Sequence, residues 1–516
     1  MDKWMTKKAV YDSVNNASLN SQRDRLKWYI FANICVGTFM VNLESGIVSV
    51  SLPTLSSVFN VSIDVIQWVV TAYLLTICAL LPIMGKISDS LGKGRIYNIG
   101  FLIFTIGAAL SAMSVSMGML IAAKMVQAVG GSCVMANNQG LIADTFDVKE
   151  RGRALGFSGI AVSMGALSGP AVGGVILEYL GWRAVFWVVV PIGIIGVIAG
   201  WKTFPKARPQ SEKLSFDYLG SALFMIGTPM LLYAISNATT WGWTSAPALS
   251  MIIGAFIILC GFYLWERRTA NPMLDFSLYK IRMFTTGTIA SFMSYLSVYF
   301  MMVMMPFYLQ IVLEASPEQT GYVMAAYPLA MALTTPIAGR ISDFARPVIF
   351  ATSGMVLSAL GFLSFLLLSV ETSLWTAALL IAIIGVGTGI FQPANINAVL
   401  GSVPLSRVGL AGGLNALMRN FGMTLGVAVA TSMFTSRLQT LTGESELPEL
   451  AQLPKDTFVA ALHDIFLAAA VICVIGAIFS VMRGNASRPV QQVEAIQTAG
   501  ADDEPAPARD SASPKI

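Results

Sequence analysis

Two residues of opposite charge interrupt apolar stretches of this 516-residue chain, Glu44 and Lys124. Away from water a lone charge costs at least a few kcal/mol, so a lone acid stays protonated and a lone amine stays neutral. Side by side both can remain ionised, and at about 4 Å their attraction is on the order of 4 kcal/mol for an effective dielectric near 20. Such a pair persists, yet a proton or a competing cation can break it. The chemistry open to it is reversible binding of a proton or a cationic solute at Glu44, with Lys124 tuning its acidity. A static ion pair that locks two helices together is the competing reading. A third deep charge, Arg419, has no equally deep acid in its half of the chain. Backbone carbonyls, a lipid phosphate or a substrate could each serve it.

Other chemistries lack their residues. Cys35, Cys78, Cys133, Cys260 and Cys473 lie singly in apolar runs without metal-ligand spacing, and the one histidine, His463, has no ligand set or acid–base partners beside it. No Gly-x4-Gly-Lys-Ser/Thr loop is present, which disfavours direct ATP drive. The expectation is no enzyme, no metal and no cofactor.

The elements that must position Glu44 and Lys124 follow from composition. Hydrophobic residues make up 55% of the chain and charged residues only 12%, with a mean hydropathy of +0.69, which excludes an ordinary soluble enzyme. Apolar runs of about twenty residues, enough to cross about 30 Å of hydrocarbon, recur from Trp28 to Met482. Fourteen spans are expected, at about 28–50, 66–84, 96–114, 117–138, 156–176, 184–203, 218–236, 248–265, 284–305, 320–338, 348–369, 373–391, 412–435 and 460–482. Glu44 then lies about 9 Å from the outer end of span 1 and Lys124 about 10 Å into span 4, at a shared depth. The first run follows a polar segment of 27 residues and carries Glu44, so it reads as a retained helix and not as a signal peptide.

With the N-terminus inside, 27 of the 32 Lys/Arg fall in inner segments, Arg183, Arg437 and Lys455 fall outside, and Lys124 and Arg419 lie within spans. Both termini are therefore expected in the cytoplasm. This distribution also explains the net charge of +4 without a nucleic-acid partner. The segment 484–516 is rich in Ala, Pro, Ser and Asp and reads as a disordered cytoplasmic tail.

An internal repeat organises the spans. Pro82-Ile83-Met84-Gly85-Lys86-Ile87-Ser88-Asp89 returns 254 residues later as Pro336-Ile337-Ala338-Gly339-Arg340-Ile341-Ser342-Asp343, and Val129-Gly130 with Asn138 returns as Val386-Gly387 with Asn395. Spans 1–6 and 9–14 are read as parallel copies with spans 7 and 8 inserted, an arrangement suited to a central cavity open alternately to either side. The expected organisation is an N-terminal segment 1–27, a six-helix bundle 28–203, a linker with two inserted helices 204–283, a second six-helix bundle 284–483 and the tail.

The loop carrying Gly85, Asp89, Gly92, Lys93 and Arg95 resembles the signature between spans 2 and 3 of the major facilitator superfamily. Leu43 to Pro53 in span 1, Gln67 to Leu75 in span 2, and Gly165 through Gly169-Pro170 to Gly173-Gly174 in span 5 resemble its drug/proton antiporter branch. Trp241-Gly242-Trp243, Pro306 to Gln310 and the extra pair of spans are similar to the fourteen-spanner subfamily. The sequence departs from that branch at Glu44 and Ser49 in place of aspartate and asparagine, at Lys124 in place of arginine, at Ala128 in place of glycine after Gln127, and at Val189 in place of asparagine. The resemblance implies an all-α polytopic membrane protein of the major facilitator fold, with two parallel six-helix repeats, two inserted helices and fourteen transmembrane helices. It further implies proton-coupled efflux of a lipophilic, including cationic, organic compound across a bacterial-type cytoplasmic membrane.

Within that frame the repeated loops, Gly85 to Arg95 with Gly339 and Asp343, read as a conformational latch. Gly85 would provide a turn and close helix approach, Asp89 would face a helix N-terminus, and Lys93 and Arg95 would pair across the half, with simple positive-inside anchoring as the alternative for these two bases. Gly165, Gly169, Pro170, Gly173 and Gly174 read as a hinge and seal, or as ordinary small-residue packing. Gln67, Asn137, Asn138, Gln310, Gln392, Asn395 and Arg419, with Tyr295 and Tyr299 of the Met-rich span 9, are cavity candidates, with helix–helix hydrogen bonding as the alternative for the amides. The expected partners are a small lipophilic substrate, protons and the bilayer, with no obligate protein partner. A porter for an endogenous metabolite or lipid, and a receptor that has lost transport, are the other functions this scaffold allows.

Overall fold

The computed structural model describes residues 2–146, 148–204, 217–242, 244–269, 274, 276–344, 347–404, 407–443 and 452–483. The segment 484–516 and most of the linker after 204 fall outside these, as does the side chain of Asp343. Among the described residues there is no strand, and fourteen helical segments follow one another: α1 (Asp2–Phe59), α2 (Ile63–Leu91), α3 (Lys93–Ala112), α4 (Met117–Thr145), α5 (Val148–Leu180), α6 (Trp182–Thr203), α7 (Tyr218–Trp241), α8 (Ala246–Glu266), α9 (Arg282–Val312), α10 (Pro317–Phe344), α11 (Pro347–Ser364), α12 (Leu374–Gly401), α13 (Val408–Thr442) and α14 (Lys455–Val481). Twelve are long and apolar enough by themselves to cross a membrane. The other two, α10 and α13, hold the places in the second half that α2 and α5 hold in the first. The helices overrun the expected spans, and α1 begins at Asp2, so the polar N-terminal segment continues the first helix.

The two halves repeat one packing plan. Helix α1 packs on α5 as α9 packs on α13, α3 on α4 as α11 on α12, and α2 on α4 as α10 on α12. Glycines make this duplication physical. A Cβ at Gly165 or Gly169 of α5 would meet the carbonyls of Phe39 and Leu43 at 2.5 and 2.6 Å, and one at Gly422 or Gly426 of α13 would meet those of Phe292 and Leu296 at 2.5 and 2.6 Å. Likewise Gly130 presses α4 on Phe104 of α3, and Gly387 presses α12 on Ser358 of α11. Helix backbones approach this closely only where no side chain intervenes. Both copies also interrupt the same helix near its start, α2 at Gln67 and α10 at Ala325.

Serine N-caps fix where several helices begin. Ser116, Ser245, Ser316 and Ser373 accept from the third backbone N–H of α4, α8, α10 and α12, and at Ser316 the side chain of Gln319 closes a capping box. All four lie on the face with the Lys/Arg-poor loops, termed here the outer face.

The halves meet along two seams, α2 against α13 and α5 against α10, and α1 touches α9 between them. The inserted α7 and α8 pack on each other, and α7 also packs on both α2 and α13, with Tyr233 against the Trp68 ring at 5.3 Å.

Candidate functional site

Helix α1 delivers Glu44, and α4 delivers Lys124 and, one turn on, Gln127. Residues three apart share a helix face, which turns both α4 side chains toward α1. Gly107 lets α3 press directly on Gln127: a Cβ there would stand 2.5 Å from the Gln127 Cα. Lys124 Nζ donates to Glu44 Oε1 at 2.7 Å and to Gln127 Oε1 at 2.8 Å, and Gln127 Nε2 donates to Glu44 Oε2. Glu44 and Lys124 are each 2% exposed and Gln127 is fully buried. The ammonium also lies over the rings of Tyr73 and Phe186, 4.8 and 5.7 Å from their centroids. The buried Tyr73 hydroxyl has no hydrogen-bond partner among the described residues. The pair expected from shared depth is thus formed, within a four-residue set of which Gln127 and Tyr73 were not anticipated as site residues. The i, i+3 spacing of Lys124 and Gln127 is the signal that could have found Gln127.

One residue along α1, Ser45 opens onto a cavity of about 20 Å³, measured to the centre of a water molecule, between α1, α2 and α9. Ser49, Val70, Tyr299 and Met302 also line it. This is room for little more than one water. Ser49 Oγ donates across the halves to the Met302 carbonyl at 2.6 Å, and Gln310 Nε2 donates to the Val50 carbonyl at 3.0 Å.

The outer face is shut around this point. A Cβ at Gly46 of α1 would stand 2.9 Å from the Gly169 Cα, one at Gly173 2.8 Å from the Ile47 Cα, and one at Gly174 2.3 Å from the carbonyl of Pro317 on α10. A Cβ at Gly321 would stand 2.3 Å from the Pro170 carbonyl. The glycine-rich stretch of α5 therefore packs α5 on α1 and closes the α5–α10 seam, and α5 runs unbroken through Pro170. Thr435 to Asp64 at 2.8 Å and Tyr179 to Glu318 at 2.9 Å join the halves on the same side.

Of the other cavity candidates, Tyr299 alone lines the small cavity. Gln67 bonds the Asp64 carbonyl, Asn137 the Cys133 carbonyl, and Asn138 the Thr38 hydroxyl, all short-range or helix–helix contacts. Gln392 is buried with its amide nitrogen unpartnered among the described residues. Arg419 lies over the Tyr295 ring at 5.6 Å, with its Nε unpartnered among the described residues.

The latch expectation needs one correction. Helix α2 continues through Gly85 to Leu91, and a Cβ at Gly85 would meet nothing within 4 Å; at Gly339 it would reach only Pro393, at 4.0 Å. The turn falls at Gly92, whose φ of +95° suits glycine. Lys93 pairs with Asp144 at the inner end of α4 at 3.0 Å, while Asp89 and Arg95 are exposed at the inner face. Asp144 was not anticipated. Asp89 is exposed and the Lys93–Asp144 pair, being exposed, contributes about 0–1 kcal/mol, so Asp89→Asn and Asp144→Asn should leave thermal stability nearly unchanged. If the loop is a latch, both variants insert normally yet turn over several-fold more slowly in liposomes, and wild-type turnover in both would remove that role.

A duplicated bundle of apolar helices, sealed at one face and holding a fully buried acid–base cluster between helices, is the form of a transporter scaffold. The chain belongs to the Major Facilitator Superfamily, whose family model matches residues 34–217 and 287–510. It is accordingly a multi-pass membrane transporter of small molecules and not an enzyme. It is 34% identical to the riboflavin transporter RibZ of Clostridioides difficile over 88% of this chain and 97% of that protein. It is 28% identical to the multidrug transporter protein MdtP of Bacillus subtilis over 82% of this chain and 78% of that one. Among solved structures, an inward-facing bacterial homologue of the lysosomal transporter Spinster shares the fold with a TM-score of 0.64 at 14% identity, over 89% of this chain and 97% of that one.

Proposed function

We propose that this transporter exports lipophilic organic compounds, cations among them, in exchange for protons across the cytoplasmic membrane, alternating between states open to either side, with both termini in the cytoplasm. The observation that carries this reading is the sealed Glu44–Lys124–Gln127 cluster beside the point where the halves meet. The carboxylate is stable there only while the ammonium and the amide compensate it, so a proton arriving at Glu44 dissolves the cluster and frees Lys124. One charge moving through about 100 mV is worth about 2.3 kcal/mol, enough to bias which face is open. The multidrug relatives support a lipophilic cargo.

A second reading, a porter for an endogenous metabolite, is favoured by the similarity to RibZ over nearly its whole length. Purified protein in liposomes under an imposed pH gradient, offered lipophilic cations, neutral compounds, anions and riboflavin, separates the two. Gradient-driven movement of lipophilic compounds supports the first, and selective movement of riboflavin supports the second. Ligand binding with no flux of any of them would indicate a receptor and overturn both.

A further inference from the structure

Arg483 stands two residues beyond the end of α14, where a basic residue ordinarily points to water or to headgroups. Here it turns inward and is 4% exposed. Its guanidinium reaches between α9 and α12, within 3.8 Å of where a Cβ at Gly287 would sit, and Nη2 donates to Asn395 Oδ1. That amide oxygen is the one acceptor it meets among the described residues. Arg483 Nε and Nη1 and the Asn395 amide nitrogen are all buried donors without an acceptor there. Burial pushes the guanidinium down to about 10, still far above neutral pH, so it keeps its charge. The duplicated position makes the contrast plain. In the first half the corresponding Asn138 amide nitrogen donates to Thr38 Oγ1 at 2.8 Å.

We propose that Arg483 and Asn395 form an oxyanion site at the inner end of the second half that takes a phosphate group. A tetrahedral oxyanion offers several acceptors to a guanidinium edge and an amide N–H together, which is what this donor set lacks. Two sources of that group are open to it. A phospholipid of the inner leaflet is one, because an apolar groove of about 420 Å³ between α11 and α14, lined by Val356, Leu360, Leu363, Ile478 and Val481, runs down to Met482, the residue before Arg483. A soluble phosphate is the other.

The test reads the melting temperature of the purified full-length protein in neutral detergent with phosphatidylglycerol, with inorganic phosphate, and with diacylglycerol as the lipid that lacks a phosphate, whose addition alone should give no gain and whose equal gain would overturn the site. Wild type should gain about 5 °C with phosphatidylglycerol. A gain with inorganic phosphate as well would mark a general oxyanion site, and a gain with the lipid alone a headgroup site. Asn395→Asp supplies an internal carboxylate to Arg483, so it should raise the melting temperature without additive and abolish the response. This variant keeps the guanidinium, so the test does not depend on Arg483→Gln folding. A wild type that responds to neither anion, or an Asn395→Asp protein that keeps the full response, overturns the site.

Discussion

Glu44→Gln is expected to bring pH-gradient-driven counterflow down to the level of protein-free liposomes, while exchange of labelled for unlabelled substrate without a gradient survives. The glutamine nearly keeps the shape of the side chain but holds no exchangeable proton, so loaded and empty carriers can still interconvert without coupling. Removing one partner of a buried ion pair also leaves an uncompensated charge, costing about 3–5 kcal/mol, so part of any loss could be one of stability. A Glu44→Gln, Lys124→Gln double variant separates the two effects. It removes both charges, so it should recover melting temperature without recovering coupling. Glu44→Asp retains the proton but withdraws the carboxylate by one carbon–carbon bond, about 1.5 Å. It should remain coupled with a displaced pH profile, because the 2.7 Å contact to Lys124 is stretched. Undiminished gradient-driven transport by Glu44→Gln would end the role assigned to this acid.

Gly174→Leu should have the second large effect. Even a Cβ at this position would stand 2.3 Å from the Pro317 carbonyl and 3.1 Å from the Gly321 Cα, both backbone atoms that cannot swing aside. The leucine therefore wedges α5 from α10 at the outer face. A bias of about 2.8 kcal/mol toward the outward-open state shifts the conformer ratio about 100-fold. Labelling of a Ser45→Cys reporter by a membrane-impermeant maleimide added from outside should rise by at least tenfold, with a matching fall in turnover and a faster passive proton leak. Gly118→Ala is the control, since a Cβ there meets nothing within 4 Å, and it should behave as wild type. Unchanged labelling in Gly174→Leu would mean that the outer closure does not rest on this contact.

Much of this architecture was legible in the residues because lipid imposes few solutions. Apolar length together with Gly/Pro punctuation and charge clusters indicated fourteen helices, two of which are too weakly apolar to stand out by length alone, and the echo of Pro82–Asp89 in Pro336–Asp343 revealed the duplication. Shared depth sufficed to match Glu44 with Lys124. Neutral partners were harder to read, since Gln127 and Tyr73 carry no charge that demands a counter-charge at a matching depth, and an amide in a span does not by itself name its partner. The turn expected at Gly85 lies at Gly92 instead, because a glycine inside a run of helix-compatible residues does not by itself end a helix. Counting basic residues puts Arg483 on the inner side, yet side of the membrane says nothing about the direction of a side chain, and this one points into the protein. The amides Gln67, Asn138 and Gln310 each make a short-range or helix–helix hydrogen bond in this structure, and which partner an amide meets depends on helix rotation and not on composition.

The inserted pair α7–α8 breaks the symmetry that duplication built. Because α7 straddles α2 and α13, it roofs one of the two junctions between the halves, and among the described residues neither inserted helix packs comparably on the α5–α10 junction. For a solute dissolved in the bilayer and approaching sideways, one flank is thus barred, and the other is passable only if α5 and α10 part at the glycine contacts that close it here.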